Sequence, residues 1–202
     1  RITRSEAALE KVRPQLDALW TTCLDLGRFP DSEEVANLTE VDAQLGGLGK
    51  ALLMLRRHYD QSQMSTAASA RTEDLRLYFA TQQFSKAKAY KHLEPQLRRD
   101  VKAFFGDYRS AQSAGLNLLL EAADVDRVLA ACRDASTQGI GWLDAAHSLQ
   151  LHGSLVERLP VVLRAYVACG FILWDAGSEV QVVKIHIPSG KLTLLEFDDF
   201  DA

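Results

Sequence analysis

The sequence predicts a mainly α (α+β) fold, a multi-helix orthogonal or bundle-like domain with a C-terminal β-hairpin. Three observations lead there. Apolar residues recur at spacings of three and four over most of the chain, the period of a helix with one buried face. The longest such pattern runs from Leu93 to Ala123, with Leu97, Val101, Phe104, Phe105, Tyr108, Ala111, Gly115, Leu116 and Leu119 on one side. Only from Val180 onward does the period change: Val180–Ile187 and Leu192–Phe197 are β-branched or leucine-rich runs around Pro188-Ser189-Gly190-Lys191, a hairpin signal. A chain of 202 residues is long enough for one sizeable core, and roughly 70% of its extended surface should be buried. The expected organisation is a helical domain over residues 1–175, with the hairpin and an acidic tail over 176–202 packed on it or continuing from it.

Taken in order, Ser5–Leu26 reads as a helix with Leu9, Val12, Leu16, Leu19, Trp20, Cys23 and Leu24 on one face. Pro14 lies inside it as a kink or as its true start, and Gly27 is placed to end it. Asp31 and Glu34 have capping-box spacing for a short helix to Leu38. A further helix is expected over Thr39–Tyr59, loosened by Gly46, Gly47 and Gly49, which would let helices approach closely. Asp60–Ala70 reads as a loop or frayed helix end, after which Thr72 caps a helix through Phe79 or beyond. Pro95 suits the first turn of the long helix, where its missing N–H has no partner to lose. Gly106 and Gly115 within that helix call for close packing of another element, since glycine costs a helix roughly 1 kcal/mol. Asp124 caps a short helix carrying Val128 and Cys132, Ser136–Gly141 is a loop, and Trp142–Leu151 is read as helical. Pro160 starts the most hydrophobic helix, apolar nearly all round and so expected at the buried centre. In the hairpin, Val183, Ile185 and Ile187 point one way, and Val182, Lys184 and His186 the other.

Composition narrows the chemistry. The net charge of −4 argues against a surface uniformly coated with nucleic acid. The charge is uneven, however: eleven Lys and Arg against six Asp and Glu lie between Arg56 and Arg109, while two face six between Ile172 and Ala202. Cys23, Cys132 and Cys169 are odd in number, distant, and set in apolar patterns. They read as buried free thiols of a reducing compartment, hence a cytoplasmic protein. The apolar run Pro160–Trp174 is 15 residues with Arg164 at its middle, too short and too charged for a bilayer span. The chain opens on Arg1 with no signal peptide, and a fragment of a longer protein is expected.

No catalytic motif is present in the sequence. Gly46-Gly47-Leu48-Gly49-Lys50 lacks a preceding strand and P-loop spacing, and Ala51 stands where a magnesium-binding hydroxyl belongs. No glycine-rich turn joins a strand to a helix, so the chain itself is expected to bind no S-adenosylmethionine. His147 and His152, five residues apart, fall on different faces of the helix expected there and make no metal pair. Arg164 on the most apolar helix needs a partner, since an unpaired buried charge costs several kcal/mol. Its partner is sought in the Asp175–Glu179 region or at Asp198 and Asp199; the alternative is an anion-binding arginine in a pocket. His186 with Lys184 and Glu196 on one hairpin face, joined by Asp198 and Asp199, would be an acid–base or metal cluster, or a solvated face.

The basic run is the feature on which a function can be hung. Lys86, Lys88, Lys91, Arg98, Arg99, Lys102 and Arg109 have only Glu94, Asp100 and Asp107 among them. They would hold DNA phosphates, with Tyr90 or Phe84 stacking or wedging. Equally, they would form a solvated helix face with short-range ion pairs of little energetic consequence.

Leu97–Tyr108 (LRRDVKAFFGDY), Arg158–Tyr166 (RLPVVLRAY), Val183–His186, Asp198–Phe200, Leu26–Pro30 and Glu73–Tyr78 together carry a family likeness. Taken in their order along the chain they resemble the C-terminal half of the DNA phosphorothioation-associated methyltransferases, and the likeness covers nearly the whole chain. It implies a parent protein with an N-terminal S-adenosylmethionine-dependent methyltransferase region, acting with bacterial DNA sulfur modification. The cofactor would belong to that region; this chain has no such region and no glycine-rich cofactor motif. What the resemblance leaves for this chain is an accessory or substrate-recognition part, not itself an enzyme, whose partners are DNA and the methyltransferase domain of the same protein. The competing class is an interaction or dimerisation scaffold without nucleic-acid contact, with the oligomeric state open. A third is an enzyme built on Arg164, His186 and the terminal acids.

Overall fold

The computed structural model describes residues 4–85, 88–174 and 180–196. It is mainly helical with a small antiparallel sheet, as the sequence predicts. Contacts divide the chain into two compact units, Arg1–Thr72 and Glu73–Ala202. The division falls well before residue 175, because the C-terminal strands share a core with the helices that precede them.

In the first unit, α1 (Arg4–Leu26) carries Pro14 inside it and buries Leu16, Leu19, Trp20 and Cys23. Gly27 ends it at φ +64°, where a Cβ would lie 2.8 Å from the Ala67 carbonyl oxygen. The Asp31–Glu34 capping box forms, but it closes a single 3₁₀ turn (Ser32–Glu34), not a helix to Leu38. The helix expected over 39–59 is two: α2 (Leu38–Leu45) and α3 (Leu48–His58). Gly46 at φ +74° and Gly47 at φ +109° turn the chain between them. Gly49 has open space beside it, so close approach does not explain that glycine. Val41, Leu45, Ala51 and Leu55 complete the core begun by α1. The expected loop over 60–70 is instead the start of α4 (Gln61–Thr81). Asp60 Oδ1 accepts from the Ser62 N–H at its entry, and Thr72 is interior, its hydroxyl donating to the Ala68 carbonyl at 2.7 Å.

The second unit begins within α4, which buries Leu75, Phe79 and Ala80. The long helix expected from Leu93 to Ala123 breaks into α5 (Pro95–Phe104, with proline in its first turn) and α6 (Tyr108–Ala123). Gly106 takes φ +79°, and Asp107 caps α6 by accepting the Ser110 N–H at 2.8 Å. The pair is a helix stop followed by a helix start. Gly115 does meet the expectation of close packing: a Cβ there would sit 2.4 Å from the Phe79 carbonyl carbon. α7 (Val125–Thr137) is capped by Asp124 as expected.

Trp142–Leu151 is not helical. It forms β1 (Trp142–Asp144) and β2 (Ser148–His152), paired Trp142↔Gln150, Leu143↔Leu149 and Asp144↔Ser148. Leu149 and Leu151 are buried at a period of two, not three to four, and Gly139 and Gly141 with positive φ free the chain from α7. After α8 (Val161–Trp174), the predicted hairpin appears as β3 (Val182–His186) and β4 (Lys191–Leu195). Its support is β2, which gives an antiparallel sheet in the order β1-β2-β3-β4. Val183, Ile185 and Ile187 share one side as expected, and that side is the buried one.

α8 lies between two layers. Leu163 and Val167 pack with Leu149, Val183 and Ile185 of the sheet and Cys132 of α7. Two residues along, on the opposite side of α8, Val161 and Ala165 pack with Leu118 and Ala122 of α6. This explains apolar residues nearly all round it, although its last turn exposes Ile172 and Leu173. Among the described residues, no helix is long and apolar enough to cross a membrane.

Candidate nucleic-acid interface

The basic run begins in the loop before α5. Lys86 lies outside the described residues. The chain from Lys88 makes a 3₁₀ turn at Tyr90–His92 and buries Leu93 before Pro95 opens α5. Two phenols fasten this loop. The Tyr108 hydroxyl donates to the Lys88 carbonyl at 2.6 Å, and the Tyr90 hydroxyl to the Arg98 carbonyl at 3.3 Å. Their rings meet at 5.7 Å. Tyr108 in turn lies edge-on to Phe79 at 5.9 Å, and Phe105 does so at 6.2 Å. The loop is therefore tied through aromatic contacts to the core formed by Phe79, Val101 and Ala111.

Lys88, Lys91, Lys102 and Arg109 are exposed, while Arg98 and Arg99 are half-buried. Arg98 and Lys102 stand one helical turn apart on α5. Arg109 is not on the same helix as Arg98 and Lys102, because Gly106 intervenes. It occupies the first turn of α6 beside the capping Asp107, whose carboxyl is held below the ordinary range chiefly by the Ser110 N–H and hydroxyl. Asp100 is fully buried, and both it and Arg99 are engaged in interactions of their own. The cations presented to solvent are thus Lys88 and Lys91 on the loop, Lys102 and part of Arg98 on α5, and Arg109 beyond the break. Tyr90 is 40% exposed, but its hydroxyl is committed, which makes it a clamp first and a stacking surface second.

Arg164 and His186 do not meet. Arg164 Nη1 contacts Asp74 Oδ1 at 2.8 Å and Nη2 contacts Glu157 Oε2 at 3.4 Å. Its Nε is buried without a partner. Both ends of the fork face carboxylates, so an anion would have to displace them. The partners expected among 175–179 and at Asp198 and Asp199 lie outside the described residues. His186 sits on the sheet face turned away from α8, with Nε2 2.9 Å from Thr193 Oγ1. Glu196 follows the end of β4 and is exposed. His147 lies in the β1–β2 turn and His152 ends β2, so neither is helical. Among the described residues no group of three His, Cys, Asp or Glu is placed to hold a metal.

A groove of about 400 Å³ opens between α6, α8 and β4, lined by Phe84, Leu119, Tyr166, Cys169, Leu173 and Leu192 among others. It is apolar, and burial raises both the Cys169 thiol and the Tyr166 phenol above their ordinary values. Neither group is prepared for proton transfer near neutrality. The features that sequence reasoning missed are the Tyr108 clamp and the outer sheet face bearing Trp142. Tyr108 reads as one more core position of a continuous helix, and Trp142 as part of a helix that does not form.

Against family models, curated proteins and solved structures alike, the chain finds no match.

Proposed function

We propose that this chain is an accessory, substrate-recognition domain that holds duplex DNA by its phosphates. In this reading it serves a cytoplasmic protein whose S-adenosylmethionine-dependent methyltransferase region acts with bacterial DNA phosphorothioate modification. The chain contributes no catalytic group and no cofactor site of its own. Lys88, Lys91, Arg98 and Lys102 supply the main phosphate contacts, with Arg109 at the margin. The observation that carries the reading is the pair of tyrosine hydrogen bonds from Tyr108 to Lys88 and from Tyr90 to Arg98. They fix a basic loop against a basic helix, so the cations need little ordering when a polyanion arrives. Contacts of this kind go to phosphate and carry no base sequence. The link to methyl transfer and to phosphorothioation rests on the sequence resemblance.

The test is fluorescence anisotropy with a mixed-sequence duplex at low salt. Wild type should bind, and the variant carrying Lys88→Ala, Lys91→Ala, Arg98→Ala and Lys102→Ala should bind at least tenfold more weakly. Equal binding by the two would remove the basic run from the account. A scaffold reading draws on a separate observation, the exposed Leu116 and Leu120 one turn apart on α6 and Leu173 on α8. It requires a concentration-dependent dimer or a protein partner, and analytical ultracentrifugation of the chain with and without DNA separates the two.

A further inference from the structure

We propose that the outer face of the sheet is a second nucleic-acid surface, one that takes single strands, with Trp142 as its stacking platform. The proposal is argued from the sheet alone and does not depend on the loop and α5. The register aligns Trp142, Gln150, Lys184 and Thr193 in one row across all four strands. The neighbouring row is Asp144, Ser148, His186 and Lys191. Residues directly opposite in an antiparallel pair share a face, and the alternate residues Leu149, Leu151, Val183 and Ile185 are buried against α7 and α8. Both rows therefore face away from the core. Trp142 is 62% exposed at the edge, Lys191 is exposed, and Gln150, Lys184, His186 and Thr193 are partly so, while Ser148 is buried.

The chemistry of this face selects its occupant. In these two rows Lys184, Lys191 and His186 stand against one carboxylate, Asp144, so they complement a polyanion; His152, Val182 and Leu195 form a third row of the same face. Lysine is depleted in the cores of protein interfaces, and the amide and hydroxyl of Gln150 and Thr193 add hydrogen-bonding groups beside the lysines. An exposed indole adds a ring on which any unpaired base can lie, and a paired base inside a duplex cannot. Two strand spacings separate Trp142 from Lys184, about 10 Å, which suits an extended nucleotide with its base on the ring and its phosphate at the ammonium. The His186–Thr193 contact at 2.9 Å ties the imidazole across to β4 between the two lysines. Open antiparallel sheets that present aromatic rings are a recurrent way of binding single strands.

The experiment is anisotropy of labelled oligo(dT) and oligo(rU), with a mixed duplex as the third arm, at low salt and across a salt series. Wild type should bind one or both single strands, and the two arms tell DNA from RNA. Trp142→Ala should weaken that binding roughly tenfold, the effect of losing one stacked base, with duplex binding unchanged. Trp142→Phe keeps a ring and should stay within about threefold of wild type. Lys184→Ala with Lys191→Ala should flatten the single-strand salt slope by about 1.4 units, at about 0.7 per phosphate. The variant lacking Lys88, Lys91, Arg98 and Lys102 should keep its single-strand affinity, so failure of the loop surface and failure of this one are distinguishable. No single-strand binding by wild type, full affinity in Trp142→Ala, or an equal loss on duplex would overturn the proposal.

Discussion

The Tyr108 hydroxyl donates a 2.6 Å hydrogen bond to the Lys88 carbonyl, so the first residue of α6 holds a loop twenty positions upstream. A single phenolic oxygen thereby links the break between α5 and α6 to the start of the basic segment.

Tyr108→Phe removes that bond and leaves the ring contacts with Phe79 and Tyr90 in place. We expect a loss of about 1 kcal/mol, the usual net worth of one hydrogen bond. Amide exchange should accelerate for residues 88–92 and stay unchanged in the sheet. Unaltered protection of the loop would mean that the hydroxyl does not hold it.

Two glycines on the former long helix should respond differently to alanine. At Gly115 the added methyl meets Phe79 backbone at 2.4 Å, which cannot swing aside as a side chain does. The expected cost is about 3 kcal/mol, the upper range for overpacking. At Gly106 there is open space, and the strain comes only from φ +79°; about 1–2 kcal/mol is expected there. Urea midpoints for the two variants decide it, and a larger loss at Gly106 would contradict this packing.

The same two positions show how far the sequence was legible. Gly106-Asp107 carried both halves of a helix break, a left-handed stop and a carboxylate cap, but the apolar spacing ran on through them and outweighed the local signal. Gly115 was readable as a close approach because nothing else explains a glycine at a buried helical position. The C-terminal hairpin was readable from its period of two. β1 and β2 were not: three and five residues are too short to establish a period, and their pairing with β3 is a long-range fact. At the candidate site the cations were legible as composition. Their attachment was not, because the Tyr108–Lys88 and Arg164–Asp74 contacts join residues far apart in sequence.

Arg164 should matter to stability more than to binding. Its side chain is 15% exposed and its partner Asp74 is 48% exposed, so the pair is partly screened. Arg164→Met should cost about 1–2 kcal/mol. A double-mutant cycle with Asp74→Asn should return a coupling of about 0.5–1 kcal/mol. A much weaker DNA affinity in folded Arg164→Met would instead make this arginine an anion ligand.

Alkaline pH should destabilise the fold through its buried thiols. Burial pushes the Cys23 thiol up to about 12 and Cys132 up to about 11. In the unfolded chain these thiols lose protons near the ordinary value, so the unfolded state binds fewer protons above it. Stability is full below about pH 8.5. It should then fall by up to about 1.4 kcal/mol per pH unit for each thiol until the folded values are reached. Cys23→Ala with Cys132→Ala should flatten the decline. Native alkylation should label the half-buried Cys169 ahead of the other two, and equal labelling of all three would contradict the burial assigned here.

The most direct test of the central claim is the salt dependence of duplex-DNA binding, measured for wild type and for the variant lacking Lys88, Lys91, Arg98 and Lys102. Each phosphate neutralised contributes a log–log slope of about −0.9. The account predicts a steep slope for wild type and one shallower by about three to four units for the variant, at equal stability. Identical slopes, or no binding by wild type at low salt, would contradict it.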